Sequence, residues 1–183
     1  STAEPGLCVP FIVNCPGLVP QGVTTDGLTD VTDLLPTFAE LGGGTLQEGY
    51  AYDGQSIASH ILGKSDDTQR SWILGMGGRN EAKLTDDGVE NRFVFRDRVL
   101  REKRFKLYVN TQRQAEKLVD VLADPEEETN LINSSDPEVQ AALARLKPII
   151  ATFPERDNDP IYTPLPDQEW DVPITAKNEV WKE

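Results

Sequence analysis

Residue types that commonly carry catalytic or metal chemistry are sparse in this chain. It has one histidine, His60, and two cysteines, Cys8 and Cys15. A single histidine cannot supply a Ser-His-Asp triad or a multi-histidine metal site from within the chain. His60 lies in a short stretch with helical character, so we predict a surface or packing role for it.

Paired aspartates are the next candidates, because carboxylate oxygens are the ligands that calcium prefers. Asp66-Asp67 and Asp86-Asp87 both lie in turn-like sequence. A calcium loop needs six or more oxygens at a defined spacing, and neither pair has that spacing. We therefore predict that both pairs are solvated turns.

Two glycine clusters lack the lysine and the strand-loop-helix setting that phosphate-binding loops require. Gly42-Gly43-Gly44 follows a helical pattern and is typical of a helix stop. Gly75-Met76-Gly77-Gly78 follows a predicted strand. Its backbone could approach a ligand, although a plain turn or β-bulge is the favoured interpretation.

Charge and hydropathy exclude two classes of partner. The formal net charge is −13, with 18 Lys and Arg against 31 Asp and Glu, so a nucleic-acid partner is not expected. The one dense basic stretch, Arg96 to Lys106, is interpreted as the solvated side of a hairpin. No apolar run approaches the roughly 20 residues of a membrane span, and no signal peptide is in view. If Cys8 and Cys15 are joined by extended chain, they lie about 20 Å apart and cannot form a disulfide.

The first third of the chain has the elements of a buried α/β layer. Val9–Val13 is short, apolar and β-branched, which predicts a strand buried on both faces, with its neighbouring strands outside this chain. A helix is predicted over about Thr29–Leu41, with Pro36 as a kink or division point. A second short helix is predicted over Ser56–Leu62, closed by Gly63.

From Ser71 onward the period changes to that of an antiparallel meander. Four strands are predicted: Trp72–Leu74, Arg92–Leu100 (core positions Phe93, Phe95 and Val99), Phe105–Val109 and Lys117–Leu122. Ser135-Asp136-Pro137-Glu138 is a helix start, and the following apolar stripe (Val139, Leu143, Leu146 and Ile150) predicts a helix packed across the sheet. The proline-rich acidic stretch after Phe153 is predicted to be irregular.

Several stretches, in this order, resemble the C-terminal third of sulfatases, members of the alkaline phosphatase-like superfamily. They are Glu4 to Val13 with Pro16-Gly17, Thr32 to Phe38, Asp53-Gly54-Gln55-Ser56, Arg98 to Arg101 with Arg104 to Leu107, and Leu118 to Pro125 with Glu127, Asn130 and Leu131. The last stretch resembles the family's Asp-Pro-x-Glu-x-x-Asn-Leu run and is the most specific. The ordered set covers about residues 4 to 150.

This resemblance implies a parent enzyme that hydrolyses sulfate esters. Its formylglycine nucleophile, made from the cysteine of Cys-x-Pro-x-Arg, and its calcium ion would lie upstream of Ser1. No catalytic or metal-binding residue and no cofactor is then expected in this chain. Expected partners are its own N-terminal catalytic domain and, through the parent enzyme, a sulfated small molecule or carbohydrate. The family also implies a periplasmic or secreted location, which no residue here supports.

Cys8-Val9-Pro10 has the first residues of the nucleophile motif but not its arginine. The fifth position is Ile12, and Cys8 stands where the family usually has an arginine before Val-Pro. Without that arginine nothing orients the hydrate or its oxyanion. We therefore interpret Cys8 as a substitution at the arginine position, not as a nucleophile.

The expected fold is α/β, or α+β for the segment alone. Residues 1–65 would be the tail end of the large sulfatase core, contributing an edge strand and a helix. Residues 66–153 would form a four-stranded antiparallel sheet packed on a C-terminal helix, and residues 154–183 a proline-rich tail. The loop from Gly75 to Lys83 carries Arg79 and Asn80, which we predict at the rim of the substrate cleft.

Two other functions remain open at this point. The chain could be a stand-alone, non-catalytic binding module that keeps the sulfatase C-terminal fold. It could also belong to a phosphatase or phosphomutase of the same superfamily, although the Asp-Pro-x-Glu-x-x-Asn-Leu run favours sulfatases. An unpaired apolar strand at Val9–Val13 predicts self-association or strand swapping when the chain is alone.

Overall fold

A computed structural model of the protein describes residues 2–77, 82–91 and 94–157, together with Thr175 and Lys177. The fold is mixed α/β, as predicted. The larger ordered unit is a four-stranded antiparallel sheet with one long helix on it, and the first 65 residues carry three short helices. Arg79, Asn80 and Phe93, and nearly all of the tail after Asp157, lie outside the described residues.

The sheet has the predicted antiparallel topology, with consecutive strands of the meander side by side. Its order is β1-β4-β5-β6, where the strands are β1 (Ile73–Met76), β4 (Arg98–Arg101), β5 (Phe105–Val109) and β6 (Ala115–Asp120). Leu107 of β5 lies opposite both Leu100 and Leu118 on the neighbouring strands. This shared register places three leucines on one face of the sheet.

A two-stranded hairpin, which the sequence did not predict, lies between β1 and β4 in the chain. It consists of β2 (Ala82–Thr85) and β3 (Gly88–Asn91), joined by a turn at Asp86-Asp87. The prediction of one strand over Arg92–Leu100 was therefore wrong. Val94 and Phe95 lie in a bend, and the sheet strand begins only at Arg98.

Helix α4 (Pro137–Ile150) covers the leucine face of the sheet, as predicted. Val139, Leu143 and Leu146 are buried against Leu107 and Leu118, and burial of each such side chain contributes about 1.5–3 kcal/mol. The N-cap is Asp136, whose Oδ1 accepts hydrogen bonds from Glu138 N at 2.8 Å and Val139 N at 3.3 Å. The capping carboxylate, with proline at the first position, makes this helix start well defined.

The opposite face of the sheet is ionic and buried. The expectation that the basic stretch Arg96 to Lys106 is solvated was wrong, because the Lys106 side chain on this face is fully buried. Arg98, two residues before Leu100 and therefore on the α4 face, is also buried, with 3% of its side chain exposed. Strand alternation turns Lys106 away from α4. There helix α1 (Glu4–Leu7) and a loop that carries Glu127 cover it.

The first part of the chain departs from the predicted buried layer. Val9–Val13 forms no strand in the structure, and Val9, Phe11 and Ile12 are exposed rather than buried on both faces. A strand needs a neighbouring strand for its hydrogen bonds, and among the described residues none pairs with this segment. That its partner strands lie outside this chain stays a prediction.

The predicted helix over Thr29–Leu41 is divided at Asp33 rather than at Pro36. A 3-10 turn (Val31–Asp33) precedes helix α2 (Leu34–Leu41), and Pro36 lies in the first turn, where a missing N–H is tolerated. The glycine stop is confirmed. Gly43 adopts φ +69°, and Gly43 N and Gly44 N donate to Glu40 O and Ala39 O. The short helix α3 (Ala58–Ile61) lies within the predicted Ser56–Leu62.

Candidate functional site: an inverted helix and two buried ionic clusters

Arg79 and Asn80 lie between β1 and β2, outside the described residues, so the structure describes only the base of their loop. Gly77 N donates to Asp97 O at 2.8 Å, which fixes the end of β1 to the residue before β4. A Cβ on Gly77 would overlap the Asp97 carboxylate and lie 2.7 Å from Thr2 Cγ2. The loop therefore starts from a crowded point where three chain segments meet.

Helix α2 is inverted relative to an ordinary surface helix. Asp33 and Thr37 are fully buried, whereas Val31, Leu35, Phe38 and Leu41 are 76%, 56%, 65% and 47% exposed. A surface helix normally turns its apolar stripe inward and its polar residues outward. We call the four exposed residues the α2 face.

A buried ionic cluster around Asp33, the Asp33 cluster, causes this inversion. Asp33 accepts hydrogen bonds from Gln55 N at 2.8 Å, from Asp30 N at 2.8 Å and from both Arg70 Nε, at 3.0 Å, and Arg70 Nη2. Arg70 also donates to Asp53 O. The carboxylate therefore joins the start of α2 to the turn at residues 53–55 and to the segment before β1.

Thr37 extends the same clamp along α2. Its Oγ1 donates to Asp33 O at 2.6 Å and accepts from Ile57 N at 3.0 Å. Gly54 fits because a Cβ there would overlap the backbone carbonyl of Thr32. Since these contacts hold the polar side of α2 inward, the α2 face points away from the chain's own core.

Electrostatics of the Asp33 cluster favour the ionised carboxylate. Burial alone would raise the pKa of Asp33, but hydrogen bonds from Arg70, Gln55 and Asp30 outweigh it, and the pKa lies below its ordinary value of 3.8. Because the pKa is lowered, the ionised Asp33 carboxylate stabilises the folded state fully above about pH 4. This contribution is lost as the pH falls through the pKa that Asp33 has in the folded state.

The extended segment at Val9–Val13 is a second exposed apolar stretch. Phe11 is 50% exposed and Ile12 is 85% exposed. Single exposed apolar residues are common, but a run of them in a segment that no described strand pairs with is typical of an interaction surface. The same third of the chain thus presents two apolar surfaces that its own core leaves uncovered.

A second buried cluster, the Lys106 cluster, lies on the sheet face opposite α4. Lys106 Nζ lies 2.7 Å from Glu127 Oε1 and 3.3 Å from Glu4 Oε2, and Arg101 Nη2 lies 2.7 Å from Glu4 Oε1. Tyr108 Oη donates to Glu127 Oε2. Glu127 holds this position with φ +59°, a conformation that non-glycine residues rarely adopt, so the cluster overrides a backbone preference.

The Lys106 cluster keeps Glu127 ionised and Tyr108 protonated. Burial alone would raise the pKa of Glu127, but hydrogen bonds from Lys106, Tyr108 and Glu4 N hold it below the ordinary 4.5. Burial, followed by the bond to Glu127, raises the pKa of the Tyr108 phenol. The stabilisation from Glu127 is therefore present above about pH 5 and declines as the pH falls through its folded-state pKa.

The histidine, cysteines and paired aspartates considered in the sequence do not come together in one site among the described residues. His60 Nε2 lies 3.0 Å from Thr25 Oγ1, and its Nδ1 lies 3.0 Å from Ser65 O. Cys8 and Cys15 are free, exposed thiols. Asp66 and Asp67 lie in an exposed bend, where Asp67 pairs with Lys103. Across the described residues, no cluster of three or more His, Cys, Asp or Glu side chains has the arrangement of a metal site.

The described helices are all too short or too polar to cross a bilayer.

The buried clusters were not anticipated from the sequence. The signal for one was present, because alternation in Phe105–Val109 places Lys106 and Tyr108 on one side of the strand. Arg101 and Lys117 lie directly opposite them on the neighbouring strands. Three cations on one sheet face require carboxylates from elsewhere, but the sequence did not indicate that Glu4, 102 residues before Lys106, supplies one of them.

Comparisons with known proteins match parts of this chain to sulfatases. The ulvan-active sulfatase of Formosa agariphila is 33% identical over 105 residues, which cover 57% of this chain and 19% of that protein. Human arylsulfatase G is 34% identical over 70 residues, covering 38% of this chain and 13% of that protein. The chain thus spans about a fifth or less of the length of these relatives. No protein-family model matches it.

Solved structures support the fold. A Bacteroides thetaiotaomicron structure, described under the metabolism of multiple glycosaminoglycans, aligns with a TM-score of 0.54 at 21% identity, covering 75% of this chain and 29% of that one. At this identity the alignment shows the fold alone. Together with the sequence matches, it shows that parts of the chain are similar to sulfatases and that its α/β fold is the one found in that structure.

Proposed function

We propose that this chain is the C-terminal part of a sulfatase that hydrolyses sulfate esters, and that it is inactive alone. Its role is to complete the fold of the enzyme by docking on the N-terminal catalytic domain. Formylglycine, calcium and the residues that bind the sulfate would belong to that domain. A sulfated small molecule or carbohydrate is the proposed substrate class, and a periplasmic or secreted location follows from the same family.

The observation that carries this proposal is the inverted helix α2. Two buried polar side chains, Asp33 and Thr37, hold the α2 face outward, so its exposure is enforced by the chain's own core. An exposed apolar stripe costs free energy unless another surface covers it, at roughly 25 cal/mol per Å² of apolar area. The sulfatase matches support the rest of a sulfatase chain as the proposed cover.

The coding DNA immediately upstream of Ser1 tests this proposal directly. An open frame encoding Cys-x-Pro-x-Arg or Ser-x-Pro-x-Arg, with acidic pairs and Lys or His motifs, would support it. A native start codon near Ser1 would contradict it and leave the stand-alone binding module as the better account.

The α2 face can be tested with one substitution in two settings. In the 183-residue chain, Phe38→Asp should leave thermal unfolding unchanged and reduce self-association in sedimentation, because Phe38 is exposed there. In the complete enzyme the same change would bury a charge. We therefore expect the yield of soluble, active enzyme to fall at least about tenfold, since one unpaired buried charge costs several kcal/mol.

Glu40→Gln, an exposed polar position on the same helix, is the matched control and should have no effect in either setting. An unchanged yield of the complete enzyme with Phe38→Asp would show that the α2 face is not an interface. Unfolding of the isolated chain would show instead that Phe38 belongs to the core.

Arg79 and Asn80 are proposed at the rim of the substrate cleft. The supporting observation is sequence-based, since a loop between two glycines and β2 carries a cation and an amide donor. Arg79→Ala in the complete enzyme should raise KM for the true substrate with little change in kcat, because a rim contact binds substrate and transition state alike. An unchanged KM would exclude the rim role.

A further inference from the structure

Residues 2–7 lie across the ionic face of the sheet. A Cβ on Gly75 of β1 would come within 2.5 Å of Leu7 Cδ2, which places Leu7 directly on that strand. Tyr108 Oη lies 3.3 Å from Thr2 O, at the other end of the segment. Between them, Glu4 pairs with Arg101 and Lys106. We call residues 2–7 the N-terminal latch.

The latch is held mainly by charge. Arg101, Lys106 and Lys117 lie on one sheet face because Arg101 pairs in register with Lys106, and Lys117 with Tyr108. The Glu4 carboxylate pairs with Arg101 and Lys106, the Glu127 carboxylate pairs with Lys106, and Lys117 Nζ donates to the backbone carbonyl of Glu127. A four-residue helix such as α1 is not stable by itself, so its position depends on these contacts.

The latch also touches the base of the loop that carries Arg79. Thr2 Cγ2 and the Asp97 carboxylate occupy the space around Gly77 so closely that a Cβ has no room. Gly77 is the last described residue before Arg79. A shift of Thr2 therefore removes one of the two side chains that fix the start of this loop.

We propose that Glu4 is a positioning residue: by pairing with cations of the sheet face it holds the latch, and through Thr2 it fixes Gly77, from which the loop to β2 starts. The importance of that loop for substrate rests on the proposed function. The coupling between Glu4 and Gly77 does not rest on the proposed function. It can be measured on the isolated 183-residue chain.

Limited proteolysis measures the coupling without any assay of sulfatase activity. Trypsin cleavage after Arg79 reports how freely the loop enters a protease, whereas cleavage after Arg101 and Lys106, inside the sheet, reports unfolding of the whole unit. Glu4→Gln should raise the rate of cleavage after Arg79 about tenfold or more, corresponding to loss of a charged hydrogen bond. The rates at Arg101 and Lys106 should change much less.

Glu128→Gln is the matched control, because it makes the same carboxylate-to-amide change at an exposed position beside Glu127. It should leave the rate after Arg79 unchanged. Equal rates after Arg79 in wild type and Glu4→Gln would overturn the coupling. A parallel rise at Arg79, Arg101 and Lys106 would also overturn it, since Glu4 would then be a general stabilising residue.

A second variant tests the coupling from the other end. Gly77→Ala changes no charge but forces Thr2 or Asp97 to move. Amide exchange at Glu4, whose N–H donates to Glu127 Oε1 at 2.8 Å, should become at least about tenfold faster if the latch is displaced. Unchanged exchange at Glu4 would show that the loop base and the latch move independently. Neither outcome bears on whether Arg79 affects KM, so failure of the two proposals can be told apart.

Discussion

Replacing Lys106 with methionine should lower the free energy of unfolding of the sheet and α4 by about 3–5 kcal/mol, the range found when one member of a buried ion pair is removed. Methionine keeps most of the side-chain volume, so the effect comes from charge. Two carboxylates, of Glu4 and Glu127, lose the cation that lies between them. Denaturant unfolding followed by circular dichroism of the purified chain would measure it.

Lys147→Met is the control for this experiment, because Lys147 is exposed in the last turn of α4. It should cost at most about 1 kcal/mol, the value of a favourable charge at a helix terminus. If Lys106→Met costs no more than this control, the Lys106 cluster contributes no net stability and its role would be limited to register. The comparison also tests whether the latch has an energetic basis.

Replacing Asp33 with asparagine should release helix α2 from the rest of the N-terminal part. Asparagine is nearly isosteric but cannot accept from Arg70, Gln55 and Asp30 in the same way, and it leaves the Arg70 charge largely buried. We expect the protection of the Gln55 and Ile57 amides against exchange to fall about 100- to 1,000-fold, equivalent to about 3–4 kcal/mol. Both amides report directly on the clamp.

Asp53→Asn is the matched control, since it makes the same chemical change at another aspartate beside Arg70, in the turn that Asp33 binds. The Asp53 side chain is exposed, and Arg70 donates to its backbone carbonyl. Protection of Gln55 should then change by less than about threefold, as for an ordinary surface substitution. A comparable loss with Asp33→Asn and Asp53→Asn would show that the turn depends on total charge rather than on the buried pair.

Local periodicity was sufficient to predict an antiparallel sheet and its helix, although it did not predict where β4 begins. The alternation in Phe105–Val109 and the apolar stripe of α4 each reflect a geometric repeat of one element, and each element buries one face against the other. The Gly43 stop and the start of α4 are equally local, because the hydrogen bonds that form them join residues at most five positions apart. Ordered motifs also identified the sulfatase relationship, which the comparisons bear out.

Only the tertiary structure decided which faces are turned inward. The apolar stripe of α2 is a valid helical pattern, yet Asp33 and Thr37 are the residues buried, because their partners Gln55, Ile57 and Arg70 are 20 to 37 positions away. Glu4 meets Lys106 across 102 positions. Sequence periodicity describes how residues repeat along one element. Whether a charge is buried depends on a partner that the fold brings from far along the chain, and whether an apolar face is covered depends on a surface that can lie outside it.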